Sequence, residues 1–308
     1  MRQNLLSIKD LNQEKLSLLI DKTIYFKQNK PEKLLEGKKI ALVFAENSLR
    51  TKISFELAVQ MLGGIANYVQ LPNFLREFDN TEREDYVDIL KCVDSWSDAL
   101  VIRDYSQKYF NTLLKISKHP IIDGFCCKDH PTQTITDLAT IKYVLGDLKN
   151  VKVCFVGPSD GSAIMESFAY GAVIMGMETV FLLPYDEYLP KNSDFFKTIS
   201  NLQKIYHGKF SFTSDKVSAL KNSDILYVDE WWENSPNFLE KNVGNLQIND
   251  SFLKSVSKNI KIMHCLPAHH GREITKKVLF SRQSVVFKQA EFRLYSAIAS
   301  LLYIFEIL

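Results

Sequence analysis

The chain of 308 residues lacks several features that mark whole classes of protein. It has no apolar segment of membrane-spanning length, and its first residues, MRQNLLSIKD, lack the apolar stretch of a secretory signal peptide. Lysine and arginine number 38 against 36 aspartate and glutamate, and no run of basic residues stands out. Neither a nucleic acid nor a membrane is therefore predicted as a partner, and any basic site must be a local pocket.

Cysteine is scarce as well. The five cysteines are odd in number and none forms a C-x-x-C pair. This pattern fits a reduced setting, so we predict a soluble, cytoplasmic protein. No low-complexity tract and no repeat of short fixed period is present.

Short apolar runs alternate with amphipathic segments along the chain, as in Ile40–Phe44 and the helical pattern that follows it. Two successive series of this kind predict an α/β protein with two doubly wound domains and mostly parallel sheets. The length also suggests about two domains. We place the boundaries at residues 1–140, 141–290 and 291–308, the last being a helix.

Local patterns give more detailed predictions. Residues Leu5 to Gln28 are predicted to form two amphipathic helices, broken near Asn12, with Asp10 capping the second. The helix after the first strand is predicted to carry one apolar face, consisting of Ile53, Leu57, Met61 and Leu62. The polar, irregular stretch Asn73–Glu84 predicts a long loop.

The turn between the first strand and its helix, AENSLRTK, carries the first candidate site. Ser48 or Asn47 can cap the new helix, whose first N–H groups lack partners within the helix. Those N–H groups, the hydroxyls of Ser48 and Thr51 and the guanidinium of Arg50 together suit a phosphate. A capped helix with a surface arginine is the alternative interpretation of this short motif.

Other polar residues follow predicted strands, at the sheet edge where α/β proteins bind ligands. Arg103 ends one strand, and several such ends are predicted to face a cleft between the domains. His130 can donate to a carbonyl oxygen, and Gln133 suits an amide-like group. Pro267 biases Leu266 to an extended backbone, which leaves its carbonyl free to accept from an NH₂ group. Phosphate, carbonyl and amino group together describe carbamoyl phosphate.

Four motifs in order, S-L-R-T, H-P-T-Q, H-C-L-P and A-E-F-R, resemble those of the aspartate/ornithine carbamoyltransferase family, with the last two closest to its ornithine branch. The resemblance implies transfer of the carbamoyl group of carbamoyl phosphate to ornithine or a related diamino substrate, without metal or organic cofactor. It also implies a homotrimer with active sites at subunit interfaces. Residues 1–140 would then bind carbamoyl phosphate and residues 141–290 the amine, and the final helix would return to the first domain.

The resemblance also implies the site residues, position by position. The predicted carbamoyl phosphate site consists of Ser48, Leu49, Arg50, Thr51, Arg103, His130, Gln133, Cys265, Leu266 and Arg293. The predicted catalytic group consists of Arg50, Arg103, His130, Gln133, Cys265 and Arg293. The predicted amine site consists of Ser162, Asp229, Glu233, Cys265 and Leu266.

The amine half departs from the family pattern. The D-x-W-x-S-M-G of the ornithine enzymes here is DEWWENS, in which Asp229 and Trp231 match but Glu233 lies outside the pattern. The family's Asn-Asn pair is replaced by Ser162 and Ala163. A different acceptor therefore stays open, such as putrescine, acetylornithine or a shorter diamino acid, held by Asp229 with Glu230 or Glu233.

The sequence does not favour two further classes of protein. A carbamoyltransferase-like regulatory protein without turnover would not need the full set of site residues. A nucleotide-binding protein is not indicated, because the Gly157–Gly161 segment is neither G-x-G-x-x-G nor a P-loop. His269 and His270 lack a cysteine or carboxylate at ligand spacing, which argues against a metal site there.

Overall fold

A computed structural model describes residues 2–71, 84–126, 128–157, 162–184, 193–230 and 246–308. The chain forms two compact units, one made of Met1–Ala139 with Phe292–Leu308 and the other of Thr140–Glu291. Most of the predicted loop Asn73–Glu84, together with Trp231 and Glu233, lies outside the described residues.

Strands and helices alternate along the described chain. The strands are β1 Lys39–Phe44, β2 Ile65–Gln70, β3 Ala99–Arg103, β4 Ile121–Asp123, β5 Lys152–Val156, β6 Glu178–Leu182, β7 Lys209–Thr213, β8 Ile225–Val228 and β9 Lys261–His264. The helices are α1 Gln13–Gln28, α2 Leu49–Met61, α3 Tyr86–Ser95, α4 Lys108–Ile116, α5 Pro131–Leu145, α6 Ala163–Ile174, α7 Ser193–Tyr206, α8 Lys216–Leu220, α9 Asp250–Leu253, α10 Lys276–Leu279 and α11 Val286–Ile304. Within the described residues, no helix is both long and apolar enough to cross a bilayer.

The first unit contains a parallel sheet of order β2-β1-β3-β4. Val43 and Ile102 of the sheet pack against Leu90 of α3 and Leu113 of α4, which buries one sheet face. Phe44 is in register with Arg103, so the carboxyl ends of β1 and β3 lie side by side. This register places the start of α2 next to the end of β3, where a doubly wound sheet binds ligands.

The second unit contains a parallel sheet of order β7-β6-β5-β8-β9. Alternate residues of its central strands face opposite sides, so Phe155 and Tyr227 pack on Phe168 of α6 while Val156 and Val228 enter another apolar cluster. Two α/β units with parallel sheets confirm the predicted fold class. The division between the units falls inside α5 and α11.

The predicted pair of amino-terminal helices is wrong. Residues Ile8–Asp10 form only a single 3-10 turn, and one helix, α1, follows. Asn12, not Asp10, caps α1, because its backbone is extended and its Oδ1 accepts a hydrogen bond from the N–H of Lys15 at 2.9 Å.

The predicted apolar face of α2 is only partly buried. Leu62 is fully buried and Met61 is partly buried, but Ile53 and Leu57 are 43% and 41% exposed. The buried residues of the helix are Thr51, Ser54, Phe55, Ala58 and Val59. The Ser54 hydroxyl donates to the carbonyl of Thr51 at 3.1 Å, so a polar side chain is satisfied within the helix and can face inward. Polar residues therefore lie on the inner side of α2, towards the candidate site described next.

Candidate active site

The start of α2 turns two hydroxyl groups towards the interior of the first unit. Ser48 caps the helix, and its Oγ lies 3.4 Å from the N–H of Thr51 and 3.1 Å from the Thr51 hydroxyl. Thr51 is buried, Arg50 is partly buried and Leu49 is exposed. Asn47, the alternative cap, instead accepts from the side chain of Gln70 at 2.8 Å. The helix thus begins at the position that the phosphate-binding prediction requires.

Arg103 lies at the end of β3 with its guanidinium buried between aromatic rings. The guanidinium carbon is 4.8 Å from the ring centre of Tyr105 and 4.9 Å from that of Phe125. One nitrogen donates to the carbonyl of Gly124 at 3.5 Å, and another donates to the Tyr105 hydroxyl. Its Nε is buried without a hydrogen-bond partner among the described residues. Burial lowers the pKa of Arg103, because the charged form loses hydration.

His130 is buried at the entrance to α5. Its ring stacks on Phe125 with centroids 4.8 Å apart and planes 10° from parallel. Its Nδ1 lies 3.4 Å from the Thr132 hydroxyl. Burial, and then the positive charges of Arg293, Arg103 and Arg50, hold the pKa of His130 well below its ordinary value. The imidazole is therefore neutral at physiological pH.

Arg293, in α11, joins three helices of the first unit. Its Nη1 donates to Oε1 of Gln133 at 2.6 Å and lies 3.3 Å from Nε2 of His130. Its Nη2 donates to the hydroxyl of Thr51 at 2.9 Å. Gln133 is held from its other end by a hydrogen bond from its Nε2 to Asp137 at 2.8 Å. The guanidinium fork fixes the orientation of the glutamine amide and of the α2 start.

The positive charges of three arginines act on the neutral imidazole. Arg293 lies 3.3 Å from Nε2 of His130, and Arg103 packs on Phe125, the ring on which His130 stacks. The charges of Arg293, Arg103 and Arg50 all lower the pKa of His130. Glu46 is the acidic group beside Arg103, and burial raises the pKa of Glu46. Several cations, two hydroxyls and a helix start in one partly buried place attract an anion with several oxygens.

The second unit brings three predicted residues together around Asp229, which follows β8. The buried carboxylate accepts from the Ser162 hydroxyl at 2.8 Å, the Cys265 thiol at 3.1 Å and the N–H of Glu230 at 2.8 Å. Burial raises the pKa of Asp229, although the hydrogen bonds from Cys265 and Ser162 oppose it. A Cβ at Gly157 would lie 2.7 Å from the Cβ of Asp229, so only glycine fits there.

The segment after β9 is shaped by two buried residues that the sequence reasoning did not assign. The N–H of Leu266 donates to Nδ1 of His264 at 2.8 Å, and Nε2 of His264 lies 3.2 Å from Oε1 of Glu273. Because Nδ1 accepts, the ring proton is on Nε2 and is donated to Glu273. Leu266 has a left-handed backbone, with φ of 58°, so the extended backbone predicted from Pro267 is wrong. His264 is the last residue of β9, at the sheet edge where ligands bind, whereas nothing in the sequence indicated Glu273.

The paired histidines have no shared role. Nε2 of His269 lies 2.7 Å from a carboxylate oxygen of Glu230, and both side chains are half-exposed. Across the described ranges, no group of three or more His, Cys, Asp or Glu side chains lies close enough to hold a metal ion. Glu233, the remaining predicted amine ligand, lies outside those ranges.

The raised pKa of Asp229 predicts a measurable pH dependence of stability. An acid whose folded pKa exceeds its unfolded value of about 3.9 stabilises the fold less as pH rises towards the folded pKa. Asp229→Asn has no carboxyl group to titrate, so it does not lose this stability. The free energy of unfolding of Asp229→Asn minus that of wild type should therefore increase as pH rises from about 4 to the folded pKa of Asp229. Urea unfolding at a series of pH values measures it. Ser162→Ala removes a hydrogen bond to the carboxylate and should give the opposite trend; parallel curves for all three proteins would contradict the prediction.

Comparison with known proteins agrees with this geometry. Residues 3–143 match the family profile described as the carbamoyl-P binding domain of aspartate/ornithine carbamoyltransferase, and residues 149–304 match its Asp/Orn binding domain. The chain is 32% identical over 302 residues to the ornithine carbamoyltransferase of Oceanobacillus iheyensis, covering 96% of this chain and 91% of that one. It is likewise 32% identical over 309 residues to the enzyme of Methanocaldococcus jannaschii, with coverage of 98% and 99%.

Solved structures give the same result. The ornithine carbamoyltransferase of Pyrococcus furiosus superimposes with a TM-score of 0.87 at 31% identity, covering 97% of this chain and 96% of that one. The anabolic ornithine carbamoyltransferase of Campylobacter jejuni gives a TM-score of 0.88 at 26% identity, covering 99% of each chain. The resemblance seen in four motifs is thereby confirmed, and the chain belongs to the aspartate/ornithine carbamoyltransferase family.

Proposed function

We propose that this protein transfers the carbamoyl group of carbamoyl phosphate to an amino group of ornithine or a related diamino substrate and releases phosphate. The observation that carries the proposal is a buried cluster in the first unit. Arg293 contacts His130, Gln133 and Thr51, and Arg103 packs on the ring that stacks on His130. The ornithine carbamoyltransferases that match along nearly the whole chain support ornithine, and they do not favour putrescine or acetylornithine.

The start of α2 would bind the phosphate. Its N–H groups and the hydroxyls of Ser48 and Thr51 donate hydrogen bonds, and Arg50 and Arg103 add charge-assisted contacts. A phosphate held by several donors is a better leaving group, because the negative charge that it gains is already stabilised.

His130, Gln133 and Arg293 would hold the carbamoyl group. A neutral imidazole can donate one N–H without adding a fourth positive charge, and Arg293 fixes Gln133 at 2.6 Å. Such fixed donors stabilise the charge that develops on the carbamoyl oxygen during attack. The carbonyl of Leu266 would accept from the NH₂ group, and Cys265 would line the amine side.

Asp229 would attract the ammonium of the acceptor, with Ser162 and Cys265 orienting its carboxylate. The attacking amino group must lose its ammonium proton to solvent before its nitrogen can bond to the carbamoyl carbon. The bond from that carbon to the phosphate oxygen then breaks, and phosphate leaves with the electron pair and takes the second proton from the attacking nitrogen. Bringing both substrates together supplies much of the rate gain.

We also infer a cytoplasmic homotrimer with active sites at subunit interfaces. The described cysteines, Cys92, Cys126, Cys154 and Cys265, are all free thiols, which fits a reducing compartment. The outer face of α2 exposes Leu49, Ile53 and Leu57 at intervals of four residues, so it offers an apolar stripe to a neighbouring subunit.

An amine panel at constant carbamoyl phosphate tests the function. We expect saturable kinetics with ornithine, equal amounts of phosphate and carbamoylated product, and lower kcat/KM for putrescine, acetylornithine and shorter diamino acids. Phosphate release that does not depend on any amine would favour a regulatory protein without turnover. A clear preference for another amine would overturn the choice of ornithine and leave the carbamoyl phosphate half intact.

A further inference from the structure

The segment between β4 and α5 carries two of the groups that build the carbamoyl phosphate site. Phe125 supplies the face on which His130 stacks, and Gly124 supplies the carbonyl that accepts from Arg103. Two buried carboxylates lie near its ends: Asp123 is the last residue of β4, and Asp129 directly precedes His130. Buried carboxylates are costly unless hydrogen bonds satisfy them, so the partners of these two groups are informative.

Asp129 binds the amino-terminal part of the chain. Its Oδ2 accepts from the hydroxyl of Ser7, and the N–H of Ile8 lies 3.3 Å from the same oxygen. Ser7 and Asp129 are 122 positions apart in sequence, and both are buried. The contact therefore connects the residue before His130 to the amino-terminal segment of the chain.

The same amino-terminal segment is held along β4. The N–H of Leu5 donates to the carbonyl of Ile121 at 2.9 Å, and the N–H of Asp123 donates to the carbonyl of Leu5 at 2.8 Å. Ser7 thus lies on backbone that is itself fixed to the sheet. The hydrogen bond from Ser7 therefore fixes Asp129 relative to the sheet.

Asp123 supports the other end of the segment. Its Oδ1 accepts from the N–H of Phe125 at 2.7 Å, which stabilises a tight turn at a residue with φ of 108°. Burial, and then the nearby charge of Asp129, raise the pKa of Asp123 well above its ordinary value.

The backbone of His130 is held by hydrogen bonds on its carboxyl-terminal side, so its position also depends on what holds the residue before it. On its carboxyl-terminal side the carbonyl of His130 accepts from the N–H groups of Gln133 and Thr134, at 3.0 and 3.1 Å, as the first bonds of α5. Pro131 has no N–H, so the residue directly after His130 cannot donate. Asp129 is the residue directly before it.

We propose that Asp129 is a positioning residue for His130, which acts by tethering the segment before α5 to Ser7 and Ile8. The inference rests on the proposed function, because it assigns to Asp129 the task of keeping His130 where the carbamoyl group binds. Asp129 touches no substrate, and its effect passes through the backbone to the imidazole.

The test compares Asp129→Ala, Asp129→Asn and Ser7→Ala in the full chain, with kcat and the KM for carbamoyl phosphate measured separately. We expect Asp129→Ala to lower kcat by about 10- to 100-fold, because displacement of a catalytic group by an ångström has effects of this size. Asp129→Asn should recover most of the loss, since its amide oxygen can still accept from Ser7 and Ile8. Ser7→Ala should lower kcat in the same direction by less, and adding it to Asp129→Ala should cause no further loss.

Asp94→Ala is the matched control, because Asp94 is another buried carboxylate of the first unit and its Oδ2 accepts from the N–H of Lys118 at 3.4 Å. It should lower the thermal midpoint and leave kcat unchanged. Equal losses in Asp129→Ala and Asp129→Asn, or kcat at the wild-type level in both Asp129→Ala and Ser7→Ala, would overturn the proposal. If Asp129→Ala does not fold, Ser7→Ala, which removes one hydroxyl, decides by itself. Absence of turnover in the wild type would instead refute the proposed function.

Discussion

Arg293→Lys is expected to lower kcat/KM for carbamoyl phosphate by about a thousandfold, although it keeps the positive charge. The guanidinium donates to Gln133 at 2.6 Å and to Thr51 at 2.9 Å from two different nitrogens. A lysine ammonium is a single point on a flexible stem and cannot hold both partners in the same geometry. Two charge-assisted hydrogen bonds of about 2 kcal/mol each correspond to about 4 kcal/mol, which is about three powers of ten in rate.

Initial rates at varied carbamoyl phosphate measure this effect. Lys288→Met is the control, because Lys288 is also in α11 but places its ammonium 5.1 Å from the ring centre of Tyr143 in the second unit. Its kcat/KM should stay within about twofold of wild type, as expected for a cation away from the reacting groups. Arg293→Lys with a loss below tenfold would show that the fork geometry does not matter and only the charge does.

Arg50→Ala is expected to lower kcat by about two to three powers of ten. Arg50 acts electrostatically on both Arg103 and His130, so it belongs to the group of cations that would surround the phosphate. Its removal takes away a charge-assisted contact to the leaving group, and the loss of one such donor lowers kcat by about 100- to 1,000-fold. The rate of phosphate release at saturating ornithine and carbamoyl phosphate measures kcat of the variant.

Lys52→Ala controls for the loss of a cation from the same helical turn. Lys52 lies two residues on, where its ammonium is 3.9 Å from Glu56 on the half-exposed side of α2. Its removal should leave turnover unchanged, because an exposed i,i+4 pair contributes only a few tenths of a kcal/mol. An Arg50→Ala enzyme with activity within a few-fold of wild type would refute its assignment to the phosphate.

The sequence predicted the fold class better than it predicted the packing. Arg103 ends a strand, Cys265 directly follows one, and Ser48 and His130 lie in the turns after β1 and β4. All four could be selected as candidates because α/β sheets bind ligands beyond the carboxyl ends of their strands. That rule needs only the order of strands and helices. It therefore survives errors of one or two residues at the ends of elements, such as β3 or β8.

The packing of helices and strands could not be predicted fully, because it depends on contacts between residues that are far apart in the sequence. Two residues of the predicted apolar face of α2, Ile53 and Leu57, are exposed, whereas Ser54 satisfies its hydroxyl within the helix and faces inward. Strand β7 was not predicted, although Phe210 and Phe212 alternate with polar residues there, because it is a short strand at the sheet edge. The bond between Ser7 and Asp129 spans 122 positions, a separation at which no periodicity carries information.

The first unit is built from both ends of the chain, with residues 292–308 completing what residues 1–139 begin. During synthesis, the ribosome must make the whole second unit before it reaches Arg293. A nascent chain that has emerged only as far as α10 already holds Ser48, Arg103 and His130 but lacks the guanidinium that joins Thr51 to Gln133. The capacity to bind carbamoyl phosphate should therefore arise last in translation, so an unfinished polypeptide would not sequester a reactive metabolite.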